Sequence, residues 1–578
     1  MCIRDRPGEA VERSYWSATM LPYLAVANPT FAAIDWFVVI AYMMGVLGMG
    51  LWLSRGQKDR RDYFLGGREI KWWVVGLSIV ATETSALTFI GVPAMAFGAL
   101  NIVDGKFISA GGNILFIQVI IGYVIARFII ALCLVPAFFK GDVYTPYQLL
   151  TRAFGSSTRT CAAVFSLIGL VLGQGVRVYV TAIPVMILGR TVFPDFGIWS
   201  AVVVIMVVAL AYTVVGGIKA VVWTDMVQFL IFAGGAFWAL LQIVSVLKTP
   251  TGATGWAAMV EVAAPQLRWW NLGFPPVVPD GATPTFLTYL WTFFGGDFNI
   301  WMGLVGATFA VLFNMGVDQL NVQRVLACRD AKEGGRAMIL SALLILPQFL
   351  MFLLIGVALF AFYKLNGFAF GPIAPWDPAS INVETGLGVP KADYVFPIYI
   401  LSEMPAGLKG FLIAAILAAA MSTVSSALSA MASIFVMDLY RPFAKRPLTD
   451  AGEIALGRWA TLLSGVLLVA VAILCKSEPR VFDLAFRLTG LTAGAILGAV
   501  LIAVWRRSGH PGSIIAGMLA SLAVMILLNV LISYKIVAVN WPWHTMIGTL
   551  VCMGVALGLE AVKPRVVGRD VELATAGE

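Results

Sequence analysis

Residues 414–440 read AAILAAAMSTVSSALSAMASIFVMDLY, a bilayer-length apolar segment carrying hydroxyls at Ser422, Thr423, Ser425, Ser426, Ser429 and Ser433. At helical spacing Ser422, Ser425, Ser429 and Ser433 fall on one stripe, with Thr423 and Ser426 at its edges. Two readings compete. Small residues let helices approach closely, and hydroxyls bond back to carbonyls one turn earlier. Alternatively the oxygens form an alkali-cation site, because Na⁺ is held by several neutral or singly charged oxygens that bring little charge into hydrocarbon.

The rest of the chain supports a membrane setting. Its 578 residues are 60% hydrophobic and only 12% charged, with mean hydropathy +0.89, which is an all-α polytopic membrane composition and not a soluble one. The formal charge of +8 sits in short loops between apolar runs, not in a basic tract, so it reads as topogenic and no nucleic-acid partner is expected. Six scattered Cys and two His give neither a disulfide framework nor a metal centre, and no cofactor is expected. The polar opening MCIRDRPGEAVERS reads as a spurious start rather than a signal peptide.

Hydropathy predicts thirteen transmembrane helices, near residues 35–54, 72–99, 113–139, 159–189, 195–215, 225–246, 299–319, 338–362, 407–438, 455–474, 481–504, 514–533 and 543–561. With the N-terminus outside, the inner connections carry more than twice the Lys and Arg of the outer ones, which places the C-terminus in the cytoplasm. The long outer stretches 247–298 and 363–406 hold two candidate lid helices, Phe286–Phe294 and Tyr394–Leu401.

The second span is irregular. Glu83 stands at its midpoint among Ser78, Thr82, Thr84, Ser85 and Thr88, and Gly91 and Pro93 loosen the outer half, which predicts a discontinuous helix exposing carbonyls from about Ala81 to Thr84. A mid-membrane carboxylate is costly unless paired or functional. Arg127, Arg177, Asp225, Asp318, Arg324, Asp483 and Arg487 are the other charges within or at the ends of spans. Arg177 with Gln174 suits a solute carboxylate, since a guanidinium binds one in bidentate fashion; the alternative is an internal ion pair with Glu83 or another acid. The chain has no Walker motif and no Ser/His/acid set, so neither a nucleotide-driven pump nor an enzyme is indicated.

Five motifs in order, DYFLGGR (62–68), YTPYQLL (144–150), YTVVGGIKAVVWTDMVQ (212–228), MGVDQLNVQRVLACRD (315–330) and AAAMSTVSSALSAMASIFVMDLY (418–440), resemble the sodium:solute symporter family, which includes sugar, sialic acid, proline and pantothenate carriers. The resemblance spans about residues 30–565 and implies a LeuT-like core of two inverted five-helix repeats with broken helices. Those repeats would cover 72–246 and 299–504. Around them lie an external segment (1–34), a first helix and inner loop (35–71), an external loop (247–298), two extra helices (505–562) and a cytoplasmic tail (563–578).

Carried over by motif, the resemblance implies a principal Na⁺ site made of the carbonyls of Ala81, Thr84 and Ala419 and the hydroxyls of Ser422 and Thr423. It also implies a possible second site at Asp225, Ser422, Ser425 and Ser426. Glu83, Gln174, Arg177 and Asn314 are the candidates for solute binding or coupling; Asn314 and Met315 stand where the sugar carriers place an aromatic gate. The expected function is sodium-coupled import of a sugar, amino acid or carboxylate by alternating access in a bacterial inner membrane, with Na⁺, the solute and the bilayer as partners and a monomer sufficing. Proton coupling on the same fold, and a transporter-like membrane sensor, are the alternatives.

Overall fold

A computed structural model describes residues 31–53, 60–98, 100–103, 106–109, 111–140, 143–190, 193, 195–274, 285–366, 392–445, 448–474, 481–506 and 508–562. The polar start, most of the 363–406 stretch and the tail after 562 lie outside them.

The chain runs through α1 (Ala33–Leu53), α2 (Arg60–Leu65), α3 (Trp72–Glu83) and α4 (Ala86–Phe97), then a hairpin of β1 (Leu100–Val103) and β2 (Lys106–Ser109). There follow α5 (Ile117–Phe138), α6 (Gln148–Phe154), α7 (Ser156–Arg190), α8 (Ile198–Ser245), α9 (Gly255–Ala263) and α10 (Phe286–Gly295). The second half comprises α11 (Met302–Gly316), α12 (Gln319–Leu326), α13 (Ala331–Leu365), α14 (Ala392–Glu403), α15 (Leu408–Phe443), α16 (Asp450–Leu474), α17 (Val481–Arg506), α18 (Pro511–Ser533) and α19 (Pro542–Val562). The hairpin, whose register pairs Leu100 with Ser109 and Val103 with Lys106, is a small departure from the all-α expectation.

Among the described residues ten helices are long and apolar enough to cross a membrane, or up to twelve if the bent pairs α3/α4 and α11/α12 each form one span. Ile198–Ala211, within the expected 195–215 span, is a shorter apolar helix. It joins the following span in one helical run that kinks at Gly217, where φ is 58° and ψ is −170°, a conformation open to glycine. Both candidate lid helices are helical, as α10 and α14.

Helix α15 is the centre of the bundle: 94% of its apolar window is buried, against 17% for α1 and 28% for α18 and α19, which therefore face outward. Enclosure suits α15, whose hydroxyls find partners inside the protein, whereas the outward helices turn apolar faces to lipid.

The break in the second span falls at Thr84 (φ −81°, ψ 77°) and Ser85 (ψ 173°), and the halves meet at 55°. The break lies before the Gly91–Pro93 stretch that was expected to loosen the helix. Pro93 lies inside α4, well beyond the break. Around the break Thr82 bonds back to the Ser78 carbonyl (2.9 Å), Thr84 to the Val80 carbonyl (3.0 Å), which its own amide also reaches (3.0 Å), and the Thr88 hydroxyl reaches the carbonyl of Glu83 (3.1 Å). The seventh span also departs from expectation. It does not end at 319 but bends by 55° at Val317 and Asp318 and continues as α12, whose first turn the Asp318 carboxylate caps at the Leu320 amide (3.1 Å).

Candidate functional site

At the break, the amide of Ser85 bonds the carbonyl of Glu83 (3.0 Å) instead of reaching back one turn to Ala81. The hydroxyl of Thr423 on α15 lies between its own Ala419 carbonyl (3.1 Å) and the Thr82 carbonyl of α3 (3.4 Å). The broken helix and the serine helix thus meet at backbone level, next to Ala81. Ser422 lies on the same turn, and Ala81, Thr84, Ala419, Ser422 and Thr423 are all buried. Thr84 also accepts a hydrogen bond from the Gln348 amide of α13.

Asp225 of α8 gathers the neighbouring polar groups. Its Oδ1 accepts from Ser422 (2.7 Å), while Oδ2 accepts from Ser78 (2.7 Å), from Thr82 (3.4 Å) and from the Arg324 Nη2 of α12 (2.8 Å). Arg324 further donates to Ser78 (2.9 Å), to Ser426 and to the Leu320 carbonyl. Asp225, Ser422 and Ser426 are therefore brought together around a guanidinium. Ser425 turns back onto the Ser422 carbonyl (3.1 Å). Arg324 was not expected in this group. The usable signal was that Asp225 and Arg324 are opposite charges at the ends of apolar spans, where each needs a partner.

The lower half of the serine stripe is held by α12. Gln319 donates to Ser433 (3.0 Å) and to the Tyr144 carbonyl (3.0 Å); Gln323 donates to Ser429 (3.4 Å) and to the Phe64 carbonyl (2.9 Å). The back-bonding reading of the stripe accounts for part of it. Thr423, Ser425 and Ser426 bond back to carbonyls of their own helix, while Ser422 and Thr423 also reach across to other helices.

Beside this layer lies a narrow cavity. All four solute candidates, Glu83, Gln174, Arg177 and Asn314, line it, together with Thr82, Ser85, Thr88, Tyr123, Met315, Asp318, Asn321 and Phe349. The free space holds only a few waters, less than a solute of sugar size would occupy. Glu83 forms an ion pair with Arg127 of α5, a partner not named for it from the sequence. Arg127 is fixed by Ser341 (3.1 Å) and the Tyr123 carbonyl (3.1 Å). An ion pair between helices at this depth removes the cost of an isolated charge and leaves Glu83 electrically neutralised.

Three buried oxygens on the cavity wall, Gln174 Oε1, Ser85 Oγ and Asn321 Oδ1, accept no hydrogen bond from the protein, which suits a polar ligand with donors. Tyr123, Phe349 and Asn321 were not anticipated, because apolar periodicity marks which face of a helix is buried, not which buried residues border a cavity.

The sequence model of the sodium:solute symporter family matches residues 63–520. The sodium/sialic acid symporter NanT of Aliivibrio fischeri is 27% identical over 531 residues, covering 90% of this chain and 92% of that protein. The sodium/glucose cotransporter of Vibrio parahaemolyticus is 27% identical over 510 residues, covering 86% and 85%. A solved structure of a Na⁺-coupled sialic acid symporter in a substrate-bound outward-open state shares the fold, with TM-score 0.72 and 24% identity over 93% of this chain and 99% of that one. A nucleobase-cation-symport-1 family transporter shares it more distantly, with TM-score 0.51 and 12% identity over 88% and 96%. The chain therefore belongs to the sodium:solute symporter family and couples the transport of a small organic solute to sodium.

Proposed function

We propose that this protein imports a carboxylate-bearing sugar or related small organic acid, drawing on sodium bound where α3/α4 meets α15. The contact of Thr423 with the Thr82 carbonyl, beside an Ala81 carbonyl released by the break, carries this reading. Oxygens of Ala81, Thr84, Ala419, Ser422 and Thr423 hold the ion, and the adjoining cavity takes the solute. Arg177 receives the carboxylate, and Gln174 and Asn314 its hydroxyl or amide groups. The sialic acid and sugar carriers among its relatives support this class of solute.

The surrounding frame is an inverted pair of five-helix repeats in a thirteen-span chain, with the N-terminus outside and the C-terminus in the cytoplasm of a bacterial inner membrane. Sodium and solute each tighten the other by the same factor, and the membrane potential contributes about 2.3 kcal/mol per charge per 100 mV. A second sodium at Asp225, Ser422, Ser425 and Ser426 requires Arg324 to leave Asp225, because a guanidinium 2.8 Å from that carboxylate already neutralises it. The resting stoichiometry is then one sodium, with the second admitted only in a state where α12 has moved.

Thermal unfolding of the purified protein in NaCl, against choline chloride of equal strength, tests the reading with sialic acid, glucose and a monocarboxylate as probes. Stabilisation by an acid only in sodium is the expected result. Equal stabilisation in choline overturns sodium coupling, and stabilisation by glucose alone overturns the assigned solute class.

A further inference from the structure

Helix α13 runs unbroken along both halves of the broken second span. At the first half, a Cβ on Gly76 would lie 2.9 Å from the Leu340 side chain and 3.0 Å from the Ala337 carbonyl. At the second half, a Cβ on Gly356 would lie 2.2 Å from the Pro93 carbonyl. This single helical run, which carries Pro347 in its interior, is thus fitted closely to each half. Between these two contacts, at the level of the break, stands Gln348.

A glutamine 5% exposed in the middle of an apolar span is costly unless its amide is used. Its Nε2 donates to Thr84 Oγ1, and the Thr84 hydroxyl in turn donates to the Val80 carbonyl (3.0 Å). Thr84 is the residue whose backbone leaves the helical path. A helical threonine commonly makes the second of these bonds unaided. The first ties the off-helix residue to the neighbouring α13, which continues as one helix past the level of the break.

We infer that Gln348 is a positioning residue for the coupling ion: through the Thr84 hydroxyl it keeps the second span open, so that the carbonyls of Ala81 and Thr84 stay available to sodium. This rests on the proposed sodium site. Groups that orient ligands without touching the ion commonly change affinity by about 10–100-fold when removed. The lower end applies here, since Gln348 holds the Thr84 hydroxyl and acts on the proposed carbonyl oxygens only through that residue.

The test is the sodium concentration giving half of the maximal rise in melting temperature of the full-length protein, with choline keeping ionic strength constant. Gln348→Leu should need about tenfold more sodium. Gln348→Met, of similar volume, takes its place if the leucine variant does not accumulate. Thr84→Val, which keeps the backbone carbonyl, should give a similar shift, and adding Gln348→Leu to it should change nothing further. A purely structural glutamine would lower melting equally with and without sodium and leave the midpoint where it was, which would overturn the inference. Additive shifts in the double variant would do so too. Thr423→Ala separates the two claims. If it raises the midpoint while Gln348→Leu does not, the sodium site stands and the role of Gln348 falls; if neither moves it, both fall.

Discussion

Replacing Arg127 by methionine should leave the Glu83 carboxylate stranded between helices. The guanidinium is 0% exposed and Glu83 only 10%, so solvent cannot take over the lost interaction. Of the other Arg127 contacts, Ser341 keeps its bond to the Met338 carbonyl (2.7 Å), and the Tyr123 carbonyl loses one donor. The magnitude is therefore set by the ion pair. Removing one member of a buried pair costs about 3–5 kcal/mol, whereas replacing both members with apolar groups of similar volume ranges from neutral to about 1–4 kcal/mol stabilising. Glu83→Gln keeps an acceptor for the guanidinium and should fall between, at about 1–3 kcal/mol.

The expected order of stability is Arg127→Met lowest, then Glu83→Gln, with Glu83→Met plus Arg127→Met at or above the unsubstituted protein. Thermal unfolding in detergent, followed with a thiol-reactive dye, reads this order, because Cys328 and Cys552 are buried until the bundle opens. If Arg127→Met melts with the unsubstituted protein, or the double variant melts below both singles, the pair does not neutralise Glu83 as argued.

Three further outcomes are expected. Gly122→Ala puts a methyl 2.0 Å from the Gly303 carbonyl, where only backbone can give way. The cost should reach or pass the upper end of the about 1–3 kcal/mol typical of overpacking; an unchanged monodisperse yield on size-exclusion chromatography would refute it. Asp35→Ala removes the acceptor for the Gly407 (2.7 Å) and Gly410 (2.8 Å) amides at the start of α15. Loss of such a cap costs about 1–2 kcal/mol, and melting unaffected by the change would deny α1 that role. Arg177→Ala should weaken binding of a carboxylated solute by about 10- to 150-fold, the equivalent of a charged hydrogen bond of about 1.5–3 kcal/mol, while equal binding of acids by both proteins would remove Arg177 from the site.

Much of this was legible in the chain itself. Long apolar runs dictate helices, because only internally bonded backbone tolerates hydrocarbon, and the helices found coincide closely with those runs. A break in the second span was expected from Gly91 and Pro93, and the span does break, but at Thr84 and Ser85, ahead of both. Glu83, Gln174, Arg177 and Asn314 do border one cavity.

The tertiary structure alone decided the partners. Glu83 could have met either Arg127 or Arg177, and nothing local to residues 83, 127 or 177 says which helix face turns toward which. The same holds for Arg324, which crosses to Asp225, and for Gln348, which reaches Thr84. Periodicity and composition act within one segment and determine that each helix exists and which side is apolar. The rotation and depth at which helices distant in sequence come together are set by packing among all of them at once, and that packing selected the ion pairs, the continuation of the seventh span into α12 and the shape of the cavity.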